Sequence, residues 1–148
     1  GALARQSAGS VPGTIATMSV HDTSDFRGSP SIVALSNRGD LAGNPRPDEP
    51  TVTMDPERLR LLADSHRTAF RVSSHDDVIL NRPRIGGREI ISTAREFPDI
   101  DAIHIEFRRE FLTGGQAEMN AGRVEELAVT LQRTWQHYRA SGLSTARI

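Results

Sequence analysis

The sequence predicts an α/β domain in which helices cover a sheet. Short β-branched runs alternate along the chain with longer stretches of helical periodicity, the pattern of layered α/β architecture. Residues 101–107 (DAIHIEF) alternate with period two, which fits a strand whose two faces see different surroundings. Residues 121–140 carry Val124, Leu127, Ala128, Leu131, Trp135 and Tyr138 on one stripe, which fits an amphipathic helix.

The elements follow in order. Residues 1–12 are small and polar and read as a flexible leader, so the domain is expected over residues 13–148, as a single α/β domain or the C-terminal part of one. Residues 13–20 (GTIATMSV) are β-branched and predict a strand, with Ile15, Thr17 and Ser19 on one face and Ala16, Met18 and Val20 on the other. His21 is expected to end that strand and open a polar loop over residues 21–30. Residues 31–35 (SIVAL) have the length and apolar character of a strand covered on both faces. Residues 36–54 form a long polar loop, of the length that is usually functional or mobile. Asp55-Pro56-Glu57 is a helix start, and Leu59, Leu62, Ala63, His66 and Phe70 then give helical spacing to residue 70. Residues 77–80 (DVIL) predict a strand closed by Asn81-Arg82-Pro83, and Gly86-Gly87 a turn or a point of close approach. Residues 88–97 fit a short helix, and Gly142 a stop for the last one.

Composition narrows the chemistry. The chain has 148 residues, enough for one domain with a core of its own. Eighteen basic residues against 19 acidic ones give a net charge of −1, which argues against a sequence-independent grip on nucleic acid. Aromatic residues at 5% argue against a base-stacking surface. No apolar run approaches the ~20 residues of a membrane helix, no signal peptide is evident, and a cytoplasmic location is expected. Cysteine is absent, which removes disulfides and thiolate chemistry, so any metal must sit on His, Asp or Glu. All 18 basic residues are Arg, which excludes a lysine Schiff base and the phosphate-loop lysine.

Four groups of residues could carry chemistry. Glu106 lies in an apolar strand, where position alone fits a partner of Arg108 or Arg109, an exposed edge site, or a general base. His21 stands at a strand end, where ligands of α/β folds collect, and equally fits a surface or capping histidine. Arg82, Arg84 and Arg88 surround the diglycine and suit either a carboxylate substrate or an ordinary solvated loop. His104 shares a strand face with Glu106 and reads as a core histidine, His66 as structural, and Asp22 and Asp25 as turn residues.

The order of these segments resembles a known family. A strand ending in His21, the stretch Ile32-Val33-Ala34-Leu35-Ser36-Asn37-Arg38-Gly39-Asp40, a helix, the loop Asn81-Arg82-Pro83-Arg84-Ile85-Gly86-Gly87, and the run His104-Ile105-Glu106-Phe107-Arg108-Arg109-Glu110-Phe111-Leu112 follow one another. This succession resembles the C-terminal half of the N-formylglutamate amidohydrolase (deformylase) family, over roughly residues 13–140. The resemblance implies a three-layer α/β fold with a mixed, mostly parallel sheet, related to zinc carboxypeptidases and aspartoacylases. It implies zinc as cofactor, His21 as a metal ligand, Glu106 as general base and acid, and Arg82, Arg84 and Arg88 near the substrate. The implied reaction is hydrolysis of a formyl or acyl amide on an acidic amino acid by a metal-activated water. The sequence departs from the family where Asp22 follows His21, Arg84 follows Pro83, and His104 stands in place of a usual glutamine.

The motifs of the family's N-terminal half are not in these 148 residues. The chain is therefore expected to be a C-terminal portion that works with an N-terminal half or a partner chain. Alone it is expected to hydrolyse negligibly, because one His and one Glu do not make a catalytic zinc site. Strand edges left by a missing half also predict self-association, as a homo-oligomer. The alternative is a non-catalytic binding module that keeps the fold and an arginine-lined pocket without the metal. Neither reading involves nucleic acid or a membrane.

Overall fold

The computed structural model describes residues 15–23, 29–83, 85–113 and 118–141. The expected leader, the start of the first strand at residues 13 and 14, Asp25, Arg84 and the Gly142 stop lie outside the described residues.

The elements run β1 (Ile15–Thr23), β2 (Val33–Ser36), α1 (Pro56–Phe70), β3 (Val78–Leu80), α2 (Arg88–Glu96), β4 (Asp101–Arg108), α3 (Glu110–Thr113) and α4 (Ala121–Ala140). The fold is α/β, with a four-stranded mixed sheet in the order β1-β4-β2-β3. β1 pairs parallel with β4, β2 pairs parallel with β3, and β2 pairs antiparallel with β4. β4 is thus central, as its alternating sequence suggests. One expectation is corrected: His21 does not end β1, because parallel pairing with β4 carries the strand on to Thr23, opposite Arg108. The backbone ladder overrides the turn character of His21-Asp22.

Alternation sorts the sheet into two faces. Val33, Leu35, Val78, Leu80, Ile103, Ile105 and Phe107 join Leu59 and Leu62 of α1 and Tyr138 of α4 in the main core. Ala34 and Ile79 face the other way. So do His104 and Glu106, with Ile90 of α2 beside His104. Helices therefore lie on both faces, α1 on one and α2 on the other. Among the described residues no helix is long and apolar enough to cross a membrane.

α1 begins where Asp55 caps it, the carboxylate accepting from the Arg58 N–H at 3.0 Å, and ends at Arg71 in the left-handed region. Arg58 also ties α1 to the start of β4 through a two-pronged contact with Asp101, Nε to Oδ2 at 2.7 Å and Nη2 to Oδ1 at 2.9 Å. α4 is the longest helix, capped by Asn120. It packs on α1 rather than directly on the sheet as its stripe suggests. Thr134 and Tyr138 are its buried residues, Leu127, Leu131 and Trp135 are partly buried against the core, and Val124 and Ala128 are exposed. α1 stands between α4 and the strands, so the stripe from Leu127 to Trp135 meets the core only in part and full burial is confined to Thr134 and Tyr138.

His66 is structural, as its place on the α1 stripe implies. It is fully buried near Phe70 and Phe107, with Nδ1 2.8 Å from the Leu62 carbonyl. Burial pushes its pKa down to about 4, partly opposed by the Leu62 contact, with Arg67 adding to the depression. The unfolded chain therefore binds a proton that the fold refuses between about pH 6.5 and about pH 4. Stability is full above this window and falls as pH drops through it. Urea unfolding at about pH 7.5 and about pH 4.5 should show a loss of about 2–3 kcal/mol from this group, absent in His66→Gln. An unchanged pH slope in that variant would refute the assignment.

Candidate functional site

The site lies on the face of the sheet that α2 covers. His21 is the register partner of Glu106 and Ser19 that of His104, so β1 and β4 bring all four side chains to one surface. The rings of His21 and His104 stack with centroids 4.7 Å apart and planes 30° apart. His104 Nε2 stands 3.4 Å from Glu106 Oε1 and His104 Nδ1 stands 3.6 Å from Glu89 Oε1. Ser19 Oγ donates to Glu89 Oε1 at 3.1 Å and lies 2.9 Å from His21 Nε2. Glu106 is 1% exposed and His104 6%, whereas His21 and Glu89 are exposed.

Glu89 comes from the first turn of α2. Its carboxyl is held below the usual range, first by its own backbone N–H. Burial partly opposes this, the Ser19 hydroxyl adds to it, and the charges of His104 and His21 contribute least. The diglycine makes this position accessible. A Cβ on Gly87 would sit 2.6 Å from Glu89 Oε2, and one on Gly86, at φ +100°, would sit 2.3 Å from Ile90 Cδ1. The close approach read in Gly86-Gly87 is thus that of the chain's own Glu89 and Ile90. Gly87→Ala should displace the Glu89 carboxylate, readable as loss of the Ser19 contact in a crystal structure of the variant.

The segment ahead of the diglycine is pinned by Arg38. Its Nη1 donates to the Gly86 carbonyl at 2.8 Å, while Nε and Nη2 grip Glu49 at 2.8 and 2.6 Å. The Arg38 N–H also donates to the Ile85 carbonyl at 3.1 Å. Asn37 and Asn81 bond each other and the loop around them, Asn37 N–H to Asn81 Oδ1 at 2.9 Å and Asn81 Nδ2 to Asn37 Oδ1 at 2.8 Å. The loop over residues 36–54 is therefore held in place by side chains of its own first turn and by the end of β3.

The remaining candidates lie apart from this cluster. Arg82 is exposed, stands 3.9 Å from Asp76, and lines a separate surface cavity of about 320 Å³ with Arg60 and Arg67. Arg88 is exposed at the start of α2, one residue before Glu89. Arg108 reaches the Ser31 carbonyl at 2.8 Å, and Arg109 Nε donates to Asp22 Oδ2 at 2.6 Å. Asp22 is thereby engaged away from His21.

The donor set fits a metal. Among the described residues His21, Glu89 and His104 each offer a ligand atom, and the three atoms lie within 4.8 Å of one another. Both ring nitrogens of His104 are buried without a hydrogen-bond partner, an arrangement a bound cation would relieve. Of these residues sequence reasoning missed Glu89. Its signal was an acidic residue two positions after a diglycine, in the first turn of a helix. No protein-family model matches the chain, and no curated protein or solved structure is significantly similar to it.

Proposed function

We propose that the chain is a metal-dependent amidohydrolase acting on a formyl or acyl amide of an acidic amino acid, of the N-formylglutamate type. The observation that carries this reading is the register of β1 against β4, which sets His21 beside Glu106 on one face, with His104 stacked on His21. A metal ligand next to a buried carboxylate is the pairing that amide hydrolysis by water requires.

His21 and the donors around it would hold the metal, with zinc the ion that the resemblance implies. The metal, when bound, supplies Lewis acidity toward water and the amide carbonyl. Glu106 takes the proton from the attacking water and returns it to the departing nitrogen, so the C–N bond breaks with a neutral amine leaving. Burial of Glu106 strengthens its electrostatic contacts and keeps bulk water from competing for it. Arg88, exposed at the start of α2, is the arginine nearest in sequence to the cluster and is assigned to the substrate's carboxylate. Arg88→Ala should raise KM for N-formyl-L-glutamate and hardly affect a neutral analogue, measured by steady-state kinetics. Equal KM changes for both substrates would remove Arg88 from this role.

The second reading is a binding module without turnover, and it too would have to bind substrate without Arg82, which faces Asp76 away from the histidine face. Formate release from N-formyl-L-glutamate separates the two. Zinc-dependent release that stops with chelator supports the hydrolase. Saturable binding of the substrate with no release supports the module.

A further inference from the structure

We infer that His21, Glu89 and His104 form a divalent-metal site of the zinc class built entirely from this chain, with Glu89 as the donor contributed by α2. This deepens the proposed hydrolase by naming its metal ligands, and metal binding can be tested without any turnover.

Geometry carries the inference. The three ligand atoms come from three elements, β1, α2 and β4, and lie within 4.8 Å of one another. Two imidazoles and one carboxylate are a donor set that zinc takes in catalytic sites, leaving a fourth position open. Tetrahedral bonds of about 2.0–2.2 Å place donors roughly 3.4 Å apart, so the cluster needs to close by roughly an ångström or somewhat more. The partners are able to move that far, since Glu89 and His21 are exposed side chains. Ser19 now fills the gap, bridging His21 Nε2 and Glu89 Oε1, and turns aside or becomes an outer partner when the donors close.

His104 supplies the independent second observation. Its side chain is only 8% exposed, yet neither ring nitrogen has a hydrogen-bond partner. The nearest carboxylate oxygens, at 3.6 Å from Nδ1 and 3.4 Å from Nε2, stand too far away for good hydrogen bonds. A buried imidazole left unsatisfied at both nitrogens is costly, and ligation at Nδ1 removes that cost on the side that faces Glu89. Glu106 is not one of the three ligands, and its Oε1 lies 3.4 Å from Nε2.

The test is titration of the full 148-residue chain with zinc chloride by calorimetry, and with cobalt(II) by visible absorption. One zinc per chain is expected, with the absorption of tetrahedral cobalt. In the unmodified chain zinc should shift the imidazole NMR signals of His21 and His104 and leave those of His66, His75 and His137 in place. Glu89→Gln, at an exposed helix position, should weaken zinc binding by more than the roughly 10–100-fold typical of losing an outer partner, and Glu106→Gln by no more than that. Zinc binding in Glu89→Gln equal to that of the unmodified chain overturns the inference. So does a zinc response in which the His104 signals do not move. If His21→Ala abolishes binding while Glu89→Gln leaves it unchanged, the site is not this triad, but the hydrolase reading stands. If the triad binds zinc as described and no formate is released, the site stands and the hydrolase reading fails.

Discussion

Glu106→Gln should lower kcat for zinc-dependent hydrolysis of N-formyl-L-glutamate by about 10²–10⁴, the usual contribution of a positioned general base. The glutamine keeps the size of the side chain and most of its hydrogen-bonding capacity in a site that is 1% exposed, so the fold should tolerate it. What it loses is the ability to take a proton from water. The effect therefore belongs to the transition state, and KM should change little. A structural carboxylate would behave differently, with the melting temperature falling and kcat following only as protein unfolds. A kcat within tenfold of the unmodified protein, at unchanged stability, would remove Glu106 from the chemistry.

The second large effect concerns the scaffold. Asn37 is completely buried and its side chain makes four hydrogen bonds. Nδ2 donates to the carbonyls of Gly43 at 2.8 Å and Met54 at 2.9 Å. Oδ1 accepts from Asn81 Nδ2 at 2.8 Å and from the Gly39 N–H at 3.0 Å. Asn37→Ala leaves these groups to find other partners in a dry site. The cost should be of the order of 3–5 kcal/mol, at about 1–3 kcal/mol for each group that finds none. Against a typical domain stability of about 5–15 kcal/mol this is a large fraction. Asn37→Asp should cost at least as much, because an oxygen then replaces Nδ2 against two carbonyls. Urea unfolding measures both. A loss under about 1 kcal/mol in Asn37→Ala would mean that water replaces the amide and that the network does not hold the loop.

This network shows what the sequence could convey about the fold and what it could not. Local signals placed α1 and α4 at their observed bounds, because Asp55-Pro56 starts the first and the apolar stripe runs through the second. Period-two alternation gave β4, including which residues share a face. The loop over residues 36–54 read as functional or mobile from its length and prolines. Its order comes instead from Asn37, Arg38 and Asn81, whose partners lie as far as 48 residues away along the chain. β1 was read two residues or more too short, because His21 and Asp22 look like turn residues and only pairing with β4 holds them extended.

The candidate site divides in the same way. His21 and Glu106 were visible as residues of the right type at strand positions, and His104 as a neighbour on the Glu106 face. Their meeting depends on parallel pairing between strands more than 70 residues apart, which no local pattern specifies. Glu89 carried only a weak local signal, because its distance to His21 is set by where α2 crosses the sheet. The arginines around the diglycine drew attention by type, yet Arg82 belongs to another surface. The expectation of an inactive portion counted one His and one Glu as donors; under the proposed triad Glu89 and His104 stand beside His21, and the donors number three.

The most direct test is formate release from N-formyl-L-glutamate by the zinc-loaded 148-residue chain, measured beside the same chain stripped of metal. The account predicts turnover in the loaded chain that vanishes on chelation, returns on adding zinc, and is lost in Glu106→Gln. Stoichiometric zinc on the chain with formate release no faster than in zinc-containing buffer would contradict it.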